Sequence, residues 1–133
     1  MPKRTARDKK LTQLAGEYAV ASELAKRGWL PVVLPANWPG YDVLAQSEGG
    51  RVVRVQVKSR GVPSKLAFCP DGDCPYPVVF VQAWDSPFQF FPVPGPDVER
   101  LRDEEGRTSA MISFANLEDF RGRWDLILGG KDE

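Results

Sequence analysis

The spacing of apolar residues near the start of the chain predicts one long helix. Between Lys9 and Lys26 they recur every three or four positions, as Leu11, Leu14, Tyr18, Ala21 and Ala25. Gly28 is placed to end this helix. Glu17 falls at the edge of the apolar stripe, about 60° from its centre. Its carboxylate can therefore reach over whatever the helix packs against, although a glutamate in this position is commonly a solvated boundary residue.

A strand and a β-hairpin are predicted next. The apolar run from Trp29 to Leu34 predicts the first strand, which ends at Pro35. The turn at 47–50, Ser-Glu-Gly-Gly, lies between two apolar runs and predicts a hairpin. With the hairpin centred on Gly49, Asp42 lies across from Gln56. Directly opposed residues have Cβ atoms about 5 Å apart, so two oxygen-bearing side chains there can share one cation.

Alternation along the second hairpin strand decides which residues join Asp42. The valines of segment 51–58 point to one face, and the other face carries Arg54, Gln56 and Lys58. The Lys58 side chain is then a diagonal cross-strand neighbour of Asp42. Acid, amide and ammonium can thus gather around one divalent metal. The alternative is that Asp42 merely starts a strand and that the polar face is a solvated hairpin surface.

The second half of the chain predicts two more strands after an irregular segment. Four prolines and no helical period make Ser59–Pro77 a loop. Val78–Trp84 is almost continuously apolar, as in a central strand covered on both faces. Phe88–Val93 is predicted to be its hairpin partner, with Pro92 and Pro94 typical of a sheet edge or a strand end.

The chain is predicted to close with a short helix, a strand and a final helix. Asp97–Glu105 forms the short polar helix, ended by Gly106, and Ser109–Phe114 forms the strand. Asn116 is the predicted N-cap of the final helix, which contains Asp119, Phe120, Trp124 and Ile127. Trp38, Trp84 and Trp124 are expected to fill the core.

Composition bounds the class of protein. A chain of 133 residues with 42% hydrophobic residues predicts a single α/β domain over residues 1–133. No run reaches the roughly 18 apolar residues of a spanning helix, and no secretory signal follows the basic N-terminus, so we expect a cytoplasmic protein without membrane contact. The chain has no histidine, which excludes histidine bases and histidine-containing zinc sites. Catalysis would have to use carboxylates, lysine or a metal.

Charge is unevenly distributed although the net charge is zero. Residues 1–60 hold 11 Lys/Arg and 5 Asp/Glu, and residues 61–133 hold 7 and 13. The basic half contains the candidate site, as a polyphosphate partner requires. The expected nucleic-acid contacts are Lys9, Lys10, Arg54 and Arg60, with residues 1–10 forming a basic N-terminal arm. The alternative for this arm is a frayed, solvated terminus.

Two cysteines lie in a turn-rich loop. Cys69 and Cys74 cannot complete a tetrahedral zinc site within one chain that has no histidine. Separate reduced thiols are expected for a cytosolic protein. A local disulfide, or four thiolates pooled by two chains around zinc, are the alternatives.

Residues 14–60 resemble a known superfamily. Gly16-Glu17 on a helix, then Gly40-Tyr41-Asp42, a turn and Val55-Gln56-Val57-Lys58-Ser59 are similar to the motifs of the PD-(D/E)XK nucleases, including the Holliday-junction-resolvase and Mrr-type branches. The resemblance implies a restriction-endonuclease-like α/β core, with a central mixed β-sheet flanked by helices. It also implies a metal-dependent endonuclease that hydrolyses DNA.

The resemblance also implies roles for the site residues. Asp42 would be the main ligand of Mg²⁺ or Mn²⁺, joined by the Gln56 side-chain oxygen and the Val57 carbonyl. Glu17 would bind a second ion or a metal-bound water, and Lys58 would position the attacking water and offset charge on the phosphate. Most members of the superfamily carry Asp or Glu where this chain has Gln56. An amide oxygen is a weaker ligand for a hard cation.

Three functions follow as hypotheses. The first is a DNA endonuclease, expected to be a homodimer because double-strand or junction cleavage needs two active sites. It is also expected to be structure-selective, since the chain shows no recognition helix or zinc finger. DNA is favoured over RNA as the substrate. The second is a catalytically inert nucleic-acid-binding or accessory protein on the same fold. The third is a protein-interaction domain that binds no nucleic acid.

Overall fold

The fold is an α/β arrangement built on a five-stranded mixed sheet. A computed structural model describes residues 4–106 and 110–129. The elements in chain order are α1 (Ala6–Lys26), β1 (Leu30–Val33), β2 (Val43–Gln46), β3 (Val52–Arg60), β4 (Leu66–Phe68), β5 (Val78–Gln82), β6 (Gln89–Val93), α2 (Gly95–Glu105), β7 (Met111–Ser113), α3 (Phe114–Leu117), a 3₁₀ turn (Glu118–Phe120) and α4 (Asp125–Leu128). No helix among these described residues has the length and apolar character needed to cross a membrane.

The main sheet has the order β1-β2-β3-β5-β6. Strands β3 and β5 run parallel, and the other neighbours are antiparallel. In the β2–β3 hairpin, Val43 pairs with Val55, so the next pair outward is Asp42 and Gln56. The predicted hairpin register is therefore confirmed. Strands β4 and β7 form a separate antiparallel pair.

Strand β5 divides the core into two layers. Val79 and Val81 belong to a cluster that includes residues of α1, β2, β3 and α4. Val78 and Phe80 belong to the opposite cluster, with residues of β4, β6, α2 and α3. All four side chains are fully buried. The prediction of a central strand covered on both faces is confirmed, and β6 lies at the sheet edge as its prolines indicated.

Helix α1 approaches β3 closely because residue 16 is glycine. A Cβ atom built on Gly16 would lie 1.8 Å from Ser59 Oγ and 3.0 Å from Ser59 Cβ. Real Cβ atoms essentially never come within 3.0 Å of other heavy atoms, so a larger residue here would force Ser59 or α1 to shift. The glycine therefore decides how far Glu17, the next residue, stands from β3.

Helix α1 begins earlier than the apolar pattern predicted. Thr5 Oγ1 accepts a hydrogen bond from the Asp8 amide, and the Asp8 carboxylate accepts one from the Thr5 amide, which makes a capping box. Helical structure then starts at Ala6. Lys9 and Lys10 consequently lie on α1 rather than in an extended arm. Residues 1–3 of the predicted arm lie outside the described residues.

Two other element predictions were wrong. Segment 59–77 is not all loop, because β3 continues to Arg60 and Leu66–Phe68 finds a partner in β7. Asn116 lies inside α3 and caps nothing, since the predicted final helix is broken into short pieces, with Gly122 in a left-handed conformation (φ 67°). The predicted strand 109–114 is shorter, and Ser109 lies outside the described residues.

The tryptophans divide between core and surface. Trp124 is buried, and Trp84 packs against the second core cluster. Trp38 is 47% exposed, so its placement in the core was wrong. It lies in the loop before β2, where its ring meets the Tyr41 ring edge-on at 6.3 Å.

Candidate active site

Asp42 is held at the start of β2 by three hydrogen bonds. Its amide donates to the Val55 carbonyl at 2.9 Å, and its carbonyl accepts from the Leu34 amide at 2.9 Å. Its carboxylate Oδ2 accepts from the Val57 amide at 2.8 Å. Burial raises the pKa of Asp42, while the Val57 hydrogen bond and the Lys58 charge act in the opposite direction. The side chain is thus fixed against β3, with Lys58 near enough to act on it.

Glu17 is a buried carboxylate, with only 7% of its surface exposed. Burial raises its pKa, a hydrogen bond from Gln13 lowers it, and the charge of Asp42 raises it. Glu17 and Asp42 therefore interact across the junction between α1 and the hairpin. Two neighbouring carboxylates that are costly to ionise form an environment that a divalent cation would stabilise.

Gln13 links the helix to the strand at this point, and sequence reasoning missed it. Its Nε2 donates to Glu17 Oε2 at 2.9 Å and to the Val57 carbonyl at 2.7 Å. Its Oε1 accepts from the Ser59 amide at 3.3 Å. The available signal was its position four residues before Glu17, which puts both side chains on one helix face. Gln13 thus orients Glu17 and also contacts a second expected metal ligand, the Val57 carbonyl.

Strand β3 supplies the remaining expected site residues. Val57 donates its amide to Asp42, and its carbonyl accepts from Gln13, which leaves that oxygen a second lone pair. Gln56 is half-buried, and its backbone N–H donates a hydrogen bond to the Pro77 carbonyl at 3.0 Å. Strand alternation puts the Gln56 side chain on the same face as Lys58. The structure thus brings Glu17, Asp42, the Val57 backbone and Lys58 together, with Gln56 beside them on β3.

The donor atoms of the candidate site fit a hard divalent cation, but only two of them belong to negatively charged side chains. Carboxylate, amide and backbone carbonyl oxygens are the ligands that Mg²⁺ uses in proteins. Within residues 4–106 and 110–129, no group of three or more Asp, Glu, Cys or His side chains could hold a metal ion. Only Glu17 and Asp42 contribute negative charge, because residue 56 is an amide.

The expected nucleic-acid contacts do not form one patch. Arg54 lies with its Cζ 5.8 Å from the centre of the Tyr41 ring, next to Asp42. Arg60 stacks on Phe68 at 4.3 Å and lines a cavity together with Lys9. Lys10 is exposed on α1 and is not part of that cavity. The basic residues therefore flank the candidate site at separate positions along β3 and α1.

Cys69 and Cys74 are both free and buried. Burial raises the pKa of Cys69 to about 11, and burial also raises the pKa of Cys74. The thiols are therefore protonated at neutral pH. The expectation of separate reduced thiols agrees with this arrangement, in which the two cysteines are not joined by a disulfide.

The comparisons with known proteins bear on the fold. No protein-family model matches the chain, and no curated protein matches it. Among solved structures, it is similar to the bacterial homing endonuclease I-Ssp6803I, with a TM-score of 0.63, 19% sequence identity and 90% of each chain covered. The predicted α/β fold, with a mixed sheet and flanking helices, is confirmed by this match to an endonuclease structure.

Proposed function

We propose that this protein is a DNA endonuclease of the PD-(D/E)XK type that depends on Mg²⁺ or Mn²⁺. The observation that carries the proposal is the position of the Asp42 carboxylate, which accepts a hydrogen bond from the Val57 amide. The charge of Lys58 lowers the pKa of Asp42, and the charge of Asp42 raises the pKa of Glu17, so all three groups lie close together. The motif spacing predicted this grouping, and the fold is that of an endonuclease. The motif thus supports the choice of residues, and the fold supports the class of enzyme.

Each residue has a role that its surroundings allow. Asp42, Gln56 and the Val57 carbonyl would hold the metal ion, and Glu17 would hold a second ion or a bound water. The bound metal would supply a nucleophilic hydroxide near neutral pH and stabilise charge on the phosphate. Lys58 supplies a positive charge beside Asp42, where it can position the attacking water and offset charge on the scissile phosphate.

A specific observation supports the second candidate, a DNA-binding protein that does not cut. Gln13 Nε2 contacts both Glu17 and the Val57 carbonyl, two of the expected metal ligands. Together with an amide at residue 56, this arrangement lowers the charge and the number of open oxygens that the site offers a cation. Binding of DNA without metal-dependent cleavage is the behaviour that such a site would give.

The substrate and the assembly state belong to the same proposal. We favour structure-selective action on branched or non-duplex DNA, because the sequence carries no recognition-helix or zinc-finger motif. We also propose a homodimer, since cleavage of both strands of a duplex or junction needs two active sites.

The test is cleavage of labelled duplex, single-stranded and four-way-junction DNA with Mn²⁺. Asp42→Ala and Lys58→Ala should each lose activity by about a hundredfold or more, because ligand and charge contributions at a reacting phosphate are of that order. The exposed residues Asp85 and Lys65 offer matched controls, Asp85→Ala and Lys65→Ala, which should cleave like the parent. Equal cleavage by all five proteins would refute the assignment. DNA binding by the parent without cleavage would select the inert alternative.

A further inference from the structure

A basic cavity lies beside the candidate active site, where the end of β3 faces the start of α1. It has a volume of about 410 Å³, and its lining includes Arg4, Lys9, Thr12, Ser59, Arg60 and Phe68. Lys58 belongs to the active site, and Arg60 is two residues further along the same strand. A strand rises about 3.3 Å per residue, so these two residues are about 6.6 Å apart and share a face of β3.

The cations of this cavity lie near one described carboxylate, that of Asp8, whose charge interacts with that of Arg4. No ion pair involves Arg4, Lys9 or Arg60 within the described parts of the chain. Arg4 instead donates to two uncharged oxygens, Thr12 Oγ1 and the Asp8 carbonyl. The carboxylate of Asp8 accepts from the Thr5 amide in the helix cap. The cavity therefore keeps its positive charge.

Arg60 is the residue of this cavity that most favours an anionic ligand. Its Nη1 is buried and has no hydrogen-bond partner among the described residues, and its guanidinium is stacked on Phe68. Burial lowers the pKa of Arg60, and the nearby charge of Arg4 lowers it further. A buried donor without a partner is energetically costly, and more so when it is charged. An anion in the cavity would reduce the repulsion between the two arginines and could accept hydrogen bonds from their guanidinium groups.

We propose that Arg4, Lys9 and Arg60 form a pocket that binds one backbone phosphate of the DNA strand, next to the phosphodiester handled by Asp42 and Lys58. This proposal rests on the proposed function as a DNA-binding site, but not on cleavage. The separation of Lys58 and Arg60 along β3 is of the order of the distance between neighbouring phosphates on one strand. The pocket would thus set the position of the strand relative to the candidate metal site.

The test measures DNA affinity by fluorescence anisotropy in EDTA, where metal-dependent hydrolysis is stopped. Arg60→Gln and Arg4→Gln should each weaken binding about tenfold and reduce the slope of log K against log salt by about 1. Arg100 lies exposed on α2 and is paired with Asp97 and Glu104, so Arg100→Gln is the matched control. Thermal unfolding checks that each variant is folded, and Lys9→Gln, on an exposed helix position, tests the same pocket should Arg60→Gln fail to fold.

A second arm identifies the ligand as a single phosphate. Binding by the parent and by Arg60→Gln is measured on four-way junctions that carry one uncharged methylphosphonate at successive positions, because the branch point fixes where the protein sits. At one position next to the cleaved bond, parent and variant should bind equally, because the neutral linkage has already removed the contact. An unchanged difference at every position would overturn the proposal, as would binding of Arg60→Gln and Arg4→Gln equal to that of Arg100→Gln.

The outcomes separate this proposal from the nuclease assignment. Parent protein that cleaves DNA while the pocket variants bind normally would refute the pocket and leave the nuclease standing. Parent protein that binds through the pocket without cleaving would support the pocket and refute the nuclease. Absence of DNA binding at low salt would refute both.

Discussion

The carboxyl groups of Glu17 and Asp42 make the stability of the folded chain depend on pH. Both carboxyls have their pKa raised, with burial as the largest cause. Their ionised forms are therefore less favourable in the folded than in the unfolded chain. Stability from these groups is fully present below their ordinary pKa values, 4.5 and 3.8, and is lost as the pH rises through the folded values. At neutral pH the site opposes folding and favours cation binding.

We predict that Glu17→Gln stabilises the protein at neutral pH while it reduces Mn²⁺-dependent cleavage. The neutral amide removes the charge that burial penalises, and it can still accept from Gln13. Thermal unfolding of parent and variant should give melting temperatures that converge below pH 4.5 and separate above it, with the variant higher. Glu48→Gln, at an exposed turn position, is the control and should show no such separation. A variant less stable than the parent at neutral pH would contradict this account.

At the scale of elements, the site depends on how closely α1 lies on β3. Gly16 permits this contact, and Gln13 and Glu17 on the same helix reach the β3 backbone and Asp42 from it. The Ser59 hydroxyl fills the space at Gly16 and is buried without a hydrogen-bond partner among the described residues. A change at this contact should therefore alter catalysis without altering any proposed ligand.

Gly16→Ala is expected to destabilise the protein and to reduce cleavage. In an ordinary helix interior the same change stabilises by about 0.5–1 kcal/mol, but here the new Cβ would clash with Ser59. Denaturant unfolding and the cleavage assay measure both effects. Ser59→Ala alone should be close to neutral, since it removes an unpartnered hydroxyl, and in the double variant it should restore part of both losses. Strict additivity of the two changes would show that they do not interact.

At the scale of the whole molecule, the outer half of the sheet leaves apolar side chains exposed. Leu30 is 73% exposed, Val32 51% and Val52 43%. Strand pairing brings them together, because Leu30 and Val52 both pair with Gln46 and Val32 pairs with Leu44. The core cluster that includes α1 and α4 covers the opposite face of these strands. The face with Leu30, Val32 and Val52 is therefore left uncovered. An exposed apolar face of this kind is typical of a protein–protein contact.

We predict that this face forms the contact of the proposed homodimer. Leu30→Glu should shift the protein from dimer to monomer in sedimentation velocity, because a charge would be buried at the interface. Leu126→Glu is the control, since Leu126 is also exposed (39%) but lies on α4, away from this face. A parent chain that sediments as a monomer at every concentration tested would contradict the homodimer.

Local sequence patterns were enough to predict the relative positions of several candidate site residues. The turn at 47–50 and the alternation in β3 were enough to place Asp42 opposite Gln56, with Lys58 on the same strand face. Turn chemistry and strand period depend on consecutive residues, so they can be read without knowing what the hairpin packs against. The end of α2 at Gly106 was predictable for the same reason.

Only the tertiary structure decided which surfaces meet. The interaction of Glu17 with Asp42, the bridge made by Gln13 and the cavity shared by Arg4 and Arg60 all join residues at least 25 positions apart, from α1 or the residues just before it to the hairpin or to β3. The pairing of β4 with β7 and the exposure of Trp38 likewise depend on distant segments. Such contacts are selected by packing of the whole core, whose stabilisation comes from many small non-local contributions that no short window of sequence contains.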